Sequence, residues 1–291
     1  MFDTIKQALS DEKFCLELDN MNLEYCYSHL IHQARTELTT LLRREAKVDP
    51  LQFISTLRSG IMTGEERGVS IPSNVTAIED AAFFDCKNLK QVTIPNSVRY
   101  IGDDAFRSCR SLENIDIPDS VTSIGKRAFC GCVDITSIKL PSRLTSIGAY
   151  SFERCIRLRN ISIPESVSYL GEGAFYGCYN LNSVNIPDVR VIYNGTFFSC
   201  RSLTSMTIPS SVEIIGDSAF DDCRGLTNLT IPDSVKSIGS YAFFGCDDLK
   251  SITYQGTRQE AKDVKFNNKS WRRGSSIEKI ICTDGEIRLT L

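Results

Sequence analysis

The residues with the most obvious chemistry are the only two histidines, His29 and His32, and a cysteine that precedes them, Cys26. On a helix, side chains three residues apart share a face, so each of these residues can approach the next. Thiolate sulfur and imidazole nitrogen are zinc ligands, and Cys15 could serve as a remote fourth ligand. However, positions six residues apart point away from each other, and no Cys-x-x-Cys pair supports a closed site. We therefore expect no metal and no cofactor, and a metal site at Cys26, His29 and His32 is the alternative.

Catalysis has no positive support in the sequence. A cysteine nucleophile beside a histidine needs a group that orients the base and donors that stabilise an oxyanion, and neither is evident. No glycine-rich loop of the phosphate-binding or dinucleotide-binding type occurs. The many carboxylates lie at variable turn positions rather than in the paired arrangement of glycoside hydrolases. We predict that the protein is not an enzyme and takes no small-molecule substrate.

Most of the chain consists of a unit of about 23 residues that occurs eight times without a break. One copy runs from Ile94 to Asp116, and the next begins at Ile117. A fixed period of this size predicts a solenoid, in which stacked coils bury a continuous core and present long surfaces suited to binding. Three residue types mark equivalent positions: proline at 72, 95, 118, 141, 164, 187, 209 and 232, phenylalanine at 83, 106, 129, 152, 175, 197, 220 and 243, and cysteine at 86, 109, 132, 155, 178, 200, 223 and 246.

Each copy contains two patterns that are typical of short strands. The first is Leu-x-x-Ile-x-Ile, as in Leu158 to Ile163, where apolar and polar residues alternate with the period of a half-buried strand. The proline that follows removes a donor and ends the strand. The second is Val-x-x-Ile-Gly, as in Val121 to Gly125, where the glycine permits a turn. The phenylalanine that comes next recurs in every copy, so we predict that it forms the spine of the core.

The eight regular cysteines need a single explanation, because they occupy one equivalent position. A free cysteine behaves as a small hydrophobic residue and is often buried, so we predict a ladder of reduced, buried thiols rather than strained disulfides. Cys130 departs from the pattern, since it stands two residues before the ladder member Cys132. We expect Cys130 to point outward, which makes it the best candidate for a reactive thiol, although simple exposure is the plainer interpretation.

The recurring pattern Leu-x-x-Ile-x-Ile-Pro-x-x-Val-x-x-Ile-Gly-x-x-Ala-Phe-x-x-Cys resembles the BspA-like class of bacterial leucine-rich repeats, from Val69 to Gly256. The resemblance implies a leucine-rich-repeat solenoid of mainly β coils. It also implies a non-enzymatic binding scaffold, of a kind often exposed on cell surfaces and implicated in adhesion. The main departure is the copy that starts at Pro187, which is one residue short and has Tyr193 in place of the glycine. We expect a local kink near residues 187–195.

Three segments follow from the extent of the repeats: an α-helical N-terminal segment at 1–68, eight repeats at 69–256 and a small C-terminal cap at 257–291. Apolar residues at spacings of three and four between Leu23 and Leu42 predict an amphipathic helix. The first coil of a solenoid exposes an apolar face that must be covered. The N-terminal segment is therefore expected to cap the repeats, or it is a separate module that binds a partner.

The C-terminal cap has its own signals. We predict a short helix near 258–265, followed by a hairpin whose turn is Asp284-Gly285, a dipeptide favoured in tight turns. Between them lies Trp271, the only tryptophan of the chain. A single large aromatic residue just beyond the last repeat is predicted to plug the open end of the last coil.

Composition and charge narrow the choice of partner and location. The chain has 33 basic and 36 acidic residues and a net charge of −3, whereas a general nucleic-acid binder carries a basic excess. The first residues lack the features of a secretion signal, and no stretch approaches the roughly 18 apolar residues that span a bilayer. We therefore expect a cytoplasmic protein without a membrane span, while the resemblance leaves a cell-surface or secreted location open.

Two surfaces could bind a partner, which we expect to be a protein. The outward positions of the first strand pattern, such as Asn160 and Ser162, are small and polar, and they lack the Trp, Tyr and Arg side chains that dominate binding energies. The turns around the core phenylalanine instead carry aromatic residues beside arginines, which is the composition of a protein interface. Packing between neighbouring coils would also explain these aromatics. We predict partner contacts in repeats two to five, at Arg107, Arg110, Arg127, Tyr150, Arg154, Arg157, Arg159, Tyr176 and Tyr179.

The leading hypothesis is therefore a non-enzymatic protein-binding scaffold that recognises a macromolecular partner through its repeats. One alternative is a surface-exposed or secreted adhesin-like module. Another is an intracellular inhibitor that uses the N-terminal helices as well as the repeats. A structural spacer without a specific partner is a further interpretation.

Overall fold

The computed structural model describes residues 67–266 and 271–289, all of which belong to one unit of the chain, Ile54–Leu291. Within this unit each repeat forms one coil of a solenoid, with one short strand from each of the two sequence patterns. The rest of each coil is almost entirely turns, so the predicted fold class, a leucine-rich-repeat solenoid of mainly β coils, is confirmed. The predicted N-terminal helices, together with Cys26, His29 and His32, lie outside the described residues.

The first strand pattern forms a parallel sheet along one side of the solenoid. Strands of successive repeats pair in register, so that Val92 lies between Val69 and Ile115. Where a strand has three residues the middle one is buried, and at Gln91–Thr93 and Asn160–Ser162 its neighbours are exposed, as the alternating pattern predicts. The six strands are β1 (Gly68–Ser70), β3 (Gln91–Thr93), β5 (Asn114–Asp116), β7 (Ser137–Lys139), β9 (Asn160–Ser162) and β11 (Ser183–Val184).

The second strand pattern forms a second parallel sheet on another side of the coil. Its strands are only two residues long, and the isoleucine or leucine of each points into the core. The following glycine allows close stacking, because a Cβ at Gly125 would lie 2.6 Å from the backbone of Gly102 in the preceding repeat. The five strands are β2 (Ala77–Ile78), β4 (Tyr100–Ile101), β6 (Ser123–Ile124), β8 (Ser146–Ile147) and β10 (Tyr169–Leu170).

Two further sheets continue the same arrangement in the last repeats. The continuation of the second sheet contains β12 (Val191–Ile192), β14 (Ile214–Ile215), β16 (Ser237–Ile238) and β18 (Lys265–Phe266). The continuation of the first sheet contains β13 (Ser205–Thr207), β15 (Asn228–Ile231), β17 (Ser251–Tyr254), β19 (Lys279–Cys282) and β20 (Gly285–Arg288).

Both sheets are interrupted at the short repeat that begins at Pro187. β11 ends at Val184 because the Asn185 side chain takes over the next pairing: its Nδ2 donates to the Ile163 carbonyl at 2.7 Å, and its Oδ1 accepts from the Ile163 amide at 2.8 Å. The missing residue leaves a tight turn, in which the Val189 amide donates to the Pro187 carbonyl at 2.7 Å. In the described part of the chain, β11 has no pairing with β13, and β10 has none with β12. The break lies where the sequence predicts a kink.

The core phenylalanines form a continuous stack that crosses this break. All eight side chains are fully buried. Neighbouring rings lie 5.2–5.7 Å apart between centroids, with planes inclined by 4–15°. Burying one such side chain stabilises the fold by about 1.5–3 kcal/mol relative to exposure. The prediction of a phenylalanine spine is therefore confirmed.

The ladder cysteines lie beside this stack as free, fully buried thiols. From Cys109 onward, each thiol donates to the carbonyl oxygen of the core phenylalanine in the preceding repeat, at 3.0–3.3 Å. This bond explains why cysteine, rather than alanine, recurs at the position. A small side chain is needed there, and its weak donor satisfies a carbonyl that lies inside the core.

The C-terminal residues close the last coil. Helix α1 (Arg258–Asp263) begins with a capping box, in which the Glu260 amide donates to Thr257 Oγ1 at 3.2 Å and the Thr257 amide donates to Glu260 Oε2 at 2.7 Å. The Trp271 ring lies edge-on against Phe243, the last ring of the stack, at 6.0 Å. β19 and β20 form the predicted antiparallel hairpin. The tryptophan thus covers the end of the core, as the sequence predicts.

Candidate functional site

Two positions in every repeat have a left-handed backbone, and they shape the surface of the turns. They lie two residues before and two residues after the core phenylalanine, with φ between 51° and 74°. Such a conformation costs a residue other than glycine about 1–3 kcal/mol, so glycine is the favoured occupant. The positions before the phenylalanine are Ala81, Asp104, Arg127, Tyr150, Gly173, Gly195, Ser218 and Tyr241, and those after it are Asp85, Ser108, Gly131, Arg154, Gly177, Ser199, Asp222 and Gly245.

We define the ridge as these two positions together with the residue after the core phenylalanine and the residue after the ladder cysteine. In repeats five and six, glycine occupies three of the four left-handed positions, as Gly173, Gly177 and Gly195. The side chains absent there leave a groove of about 500 Å³ across repeats four to seven. Its lining consists of Tyr150, Glu153, Arg154, Tyr176, Tyr179, Phe198, Ser199, Arg201 and Asp222.

Side chains of the preceding repeat lie close to two of these glycines. A Cβ at Gly173 would collide with the ring of Tyr150, which lies over that glycine. A Cβ at Gly177 would come within 3.4 Å of the Arg154 Cγ. Tyr150 and Arg154 of repeat four therefore extend over the space that repeat five leaves open, and they form one end of the groove.

Aromatic rings form the floor of the groove. Tyr176 and Phe198 stack face to face with centroids 4.4 Å apart and planes inclined by 4°. Tyr150 is tilted by 55° against Tyr176 at 6.5 Å. At the side, the Arg201 guanidinium lies 4.7 Å from the centroid of the Tyr179 ring, a cation–π contact. The floor is thus a half-buried aromatic surface.

A carboxylate that accepts three hydrogen bonds marks the other end of the groove. Asp222 accepts hydrogen bonds from Ser199 Oγ at 2.8 Å, Arg201 Nε at 2.9 Å and Arg224 Nε at 2.6 Å. Burial raises the pKa of Asp222, but the hydrogen bonds from Arg224, Ser199 and Arg201 outweigh it and hold the pKa below its ordinary value. Asp222 is therefore ionised at neutral pH, and it fixes the Arg201 side chain over Tyr179.

Arg154 differs from Arg201, the other arginine that lines the groove. Its side chain is exposed, and its guanidinium forms no ion pair with any residue of the described ranges. The neighbouring Tyr150 hydroxyl donates to Glu172 at 2.8 Å, and burial together with this bond raises the pKa of Tyr150 to about 12. Glu153 accepts a hydrogen bond from the Cys130 thiol at 3.4 Å. Arg154 is thus a cation at the groove that is open to a ligand.

Cys130 contradicts the prediction of an outward, reactive thiol. Its side chain is buried, with 9% of its surface exposed, because the residue after the core phenylalanine packs between the ridge side chains of adjacent repeats. Burial and the neighbouring Glu153 carboxylate raise the pKa of this thiol to about 12. The nucleophilic thiolate is therefore scarce at neutral pH, and Cys130 is not a reactive site.

The nine predicted partner-binding residues do not form a single cluster. Four of them line the groove, namely Tyr150, Arg154, Tyr176 and Tyr179. Arg107 and Arg127 instead share the Asp104 carboxylate, at 3.2 and 3.1 Å. The remaining three are exposed, and of these Arg110 lies on the ridge, while Arg157, paired with Asp134 at 3.0 Å, and Arg159 lie beside it.

Sequence reasoning missed Glu153, Phe198, Ser199, Arg201 and Asp222 as members of the groove. It also placed the surface in repeats two to five, whereas the groove occupies repeats four to seven. The signal that would have found these residues is the run of glycines two residues from the core phenylalanine in repeats five and six. These glycines indicate a groove only once their left-handed backbone is known, and that backbone is seen only in the folded coil.

Among residues 67–266 and 271–289, no group of three His, Cys, Asp or Glu side chains is placed to hold a metal ion. No helix in that part of the chain is long and apolar enough to cross a bilayer. The candidate ligands Cys26, His29 and His32 lie outside it.

The repeats match a known family along most of the chain. The model of the BspA type leucine rich repeat region, present in 6 copies, matches residues 65–182 and 168–281. No curated protein matches the chain.

Solved structures share the solenoid. A leucine-rich repeat protein from Bacteroides ovatus is 32% identical at a TM-score of 0.65, over 76% of this chain and 56% of its own. A leucine-rich repeat protein from T. pallidum is 34% identical at a TM-score of 0.53, over 56% of this chain and 78% of its own. A leucine-rich cell surface protein from Faecalibacterium prausnitzii is 29% identical at a TM-score of 0.50, over 72% of this chain and 65% of its own.

This chain thus spans little more than half the length of the Bacteroides ovatus protein. With repeats that match over residues 65–281, the chain belongs to the BspA-type leucine-rich repeat family.

Proposed function

We propose that this chain is a non-enzymatic repeat scaffold that binds a protein partner through its ridge. The observation that carries the proposal is the groove, in which an unpaired arginine and a stacked aromatic pair stand beside each other on one rigid surface. Aromatic residues and arginine are the side chains that contribute most to protein interfaces. BspA-type repeats are typically protein-binding or adhesin-like, which favours the same function.

The first sheet is a much weaker candidate surface. Along this sheet and its continuation, from Thr93 to Thr253, the outward residues are small and uncharged apart from Asp116 and Lys139, and most of them are exposed. Such side chains bury little apolar area in a complex and rarely act as hot spots. We therefore assign partner binding to the ridge, at the four groove residues first and at Arg107, Arg110, Arg127, Arg157 and Arg159 as its extension.

Two versions of the function differ by location. In an adhesin-like version the repeats act on a cell surface, and the likeness to a cell surface protein of Faecalibacterium prausnitzii favours it. In the other version the chain is an intracellular inhibitor and residues 1–68 take part in binding. Our working division remains 1–68 as N-terminal segment, 69–256 as repeats and 257–291 as cap.

Photo-crosslinking with the full chain tests which surface binds. A photoreactive phenylalanine analogue would replace Tyr179, on the ridge, or Thr207, on the strand face one repeat away. Both chains would be exposed to native cytosol and, separately, to cell-surface extracts, and the crosslinked proteins identified by mass spectrometry. We expect one protein to be crosslinked from position 179 and not from position 207. Crosslinks from position 207 alone, or none from either position in any extract, would overturn the proposal.

A further inference from the structure

We propose that the groove binds an extended peptide segment of the partner in which an acidic residue stands next to an aromatic or large apolar residue. This inference rests on the proposed function and specifies what the ridge recognises. The carboxylate of the peptide would pair with Arg154, and the apolar side chain would lie against the Tyr176–Phe198 stack.

The orientation of the stacked rings favours a peptide over a carbohydrate or a nucleotide. Sugars and bases bind aromatic residues by stacking on an open ring face. Tyr176 and Phe198 each cover one face of the other, since their planes are nearly parallel and only 4.4 Å apart along the direction of the repeats, and Tyr150 is tilted against Tyr176 from repeat four. The two rings present their edges to the groove, and ring edges carry a positive partial charge. Ring edges accept the face of another aromatic ring and lie favourably beside a carboxylate.

The charges of the groove call for an anionic group. Of the two arginines in its lining, Arg201 shares the Asp222 carboxylate with Arg224, whereas the guanidinium of Arg154 has no counter-ion among the described residues. Asp222 already accepts from three donors, two of which are arginines, so its charge is compensated within the protein. A ligand carboxylate placed beside Arg154 would supply that counter-ion and could accept two hydrogen bonds from the guanidinium.

The length of the groove matches a short extended segment. It crosses from repeat four to repeat seven, which is three steps of about 4.8 Å, or about 14 Å. An extended chain advances about 3.4 Å per residue, so roughly four residues fit.

Selection from a phage-displayed library of random linear peptides tests the inference, with the full chain as the target. We expect the enriched peptides to share an Asp or Glu beside an aromatic or large apolar residue. Gly177→Asn should fill the groove and weaken a consensus peptide by at least about tenfold, since asparagine tolerates a left-handed backbone. Arg154→Gly should weaken the same peptide to a similar extent without lowering the melting temperature, because it relieves the backbone at that position.

The matched control is Gly131→Asn. Gly131 occupies the same left-handed position in repeat three, but a Cβ there would face Ser108, on the side away from the groove. This variant should keep the affinity for the peptide within about twofold of the unmodified chain. Melting curves of both asparagine variants would separate a blocked groove from an unfolded protein.

Three results would overturn the inference. Enriched peptides without an acidic residue would show that Arg154 does not bind a peptide carboxylate. Peptides that bind Gly177→Asn as tightly as the unmodified chain would show that they do not bind in the groove. If the unmodified chain bound an immobilised glycan array and Gly177→Asn did not, the ligand of the groove would be a carbohydrate rather than a peptide. In each of these cases a specific crosslink from position 179 would still support protein binding by the ridge, so the two proposals fail separately.

Discussion

The ladder cysteines are held by one repeated contact, in which the thiol of one repeat donates to the phenylalanine carbonyl of the repeat before it. Burial raises the pKa of these thiols, to about 12 at Cys246 and well above the ordinary value at Cys132, Cys155 and Cys223. Because the thiolate is the reactive form, these side chains behave as small hydrophobic residues rather than as redox groups.

The first prediction concerns these thiols. In the folded protein the eight ladder cysteines should resist alkylation by iodoacetamide, since they are buried and protonated, whereas all of them should react rapidly in denaturant. Mass spectrometry of tryptic peptides after timed labelling measures this residue by residue. Rapid labelling of Cys109, Cys155 or Cys178 under native conditions would show that the ladder is not buried.

The second prediction concerns Asp221, which follows the core residue Phe220. Burial raises the pKa of Asp221 to about 6 from 3.8, with a hydrogen bond from Ser218 opposing the shift and the Asp222 charge adding to it. Between about pH 4 and pH 6 the folded chain therefore holds a proton that the unfolded chain has released. Folding stability should fall as the pH rises through this window.

Replacing Asp221 by Asn removes this titration, so Asp221→Asn should raise the melting temperature more at pH 7 than at pH 4. Asp188→Asn, which removes an exposed carboxylate that accepts from Ser211 at 3.2 Å, is the matched control and should show no such difference. Thermal melts of the three chains at both pH values give the answer. An equal effect of Asp221→Asn at pH 4 and pH 7 would contradict the assigned burial.

At the scale of elements, the ring stack holds consecutive coils together even where the strands do not. Across the break at the short repeat, Phe175 and Phe197 remain stacked at 5.7 Å, and the Cys200 thiol still reaches the Phe175 carbonyl at 3.3 Å. The coils of repeats five and six are thus joined by core packing and by turn hydrogen bonds, such as that from the Phe175 amide to the Thr196 carbonyl at 2.9 Å.

The third prediction follows from this packing. Phe152→Ala should lower the free energy of unfolding by about 3–5 kcal/mol, because it removes a fully buried ring between two stacked neighbours and leaves a cavity. Phe198→Ala, which removes a ring of the same type from the half-buried ridge, should cost less than half as much. Urea unfolding of both variants makes the comparison. A loss below about 1 kcal/mol for Phe152→Ala would show that the spine is wrongly assigned.

The repeats were predictable from sequence because each core position recurs eight times with the same residue type, so Phe152 and Cys155 could be assigned to the interior without a structure. The position of the break at Pro187 was predictable, because a residue is missing there, but its geometry was not. Its form depends on the Asn185 side chain, which makes two hydrogen bonds to the Ile163 backbone. The groove was predictable only in part, because it depends on which left-handed positions hold glycine.

At the scale of the whole described solenoid, two long surfaces of different chemistry run parallel. The first sheet presents a regular array of small polar side chains, and the ridge presents aromatic residues, arginines and one groove. The sequence could list the exposed residues of both surfaces. It could not show that Arg107 and Arg127 are paired with Asp104 while Arg154 is not, because that difference arises from contacts between repeats.

The most direct test of the account compares one glutamate on each surface of the full chain. The partner crosslinked from position 179 would be purified, and its affinity measured for Arg154→Glu and Thr207→Glu, two exposed positions in nearby repeats. We predict that Arg154→Glu weakens binding by at least about tenfold, since it reverses the charge of the groove, and that Thr207→Glu leaves the affinity within about twofold. Loss of binding in Thr207→Glu together with full binding by Arg154→Glu would contradict the account.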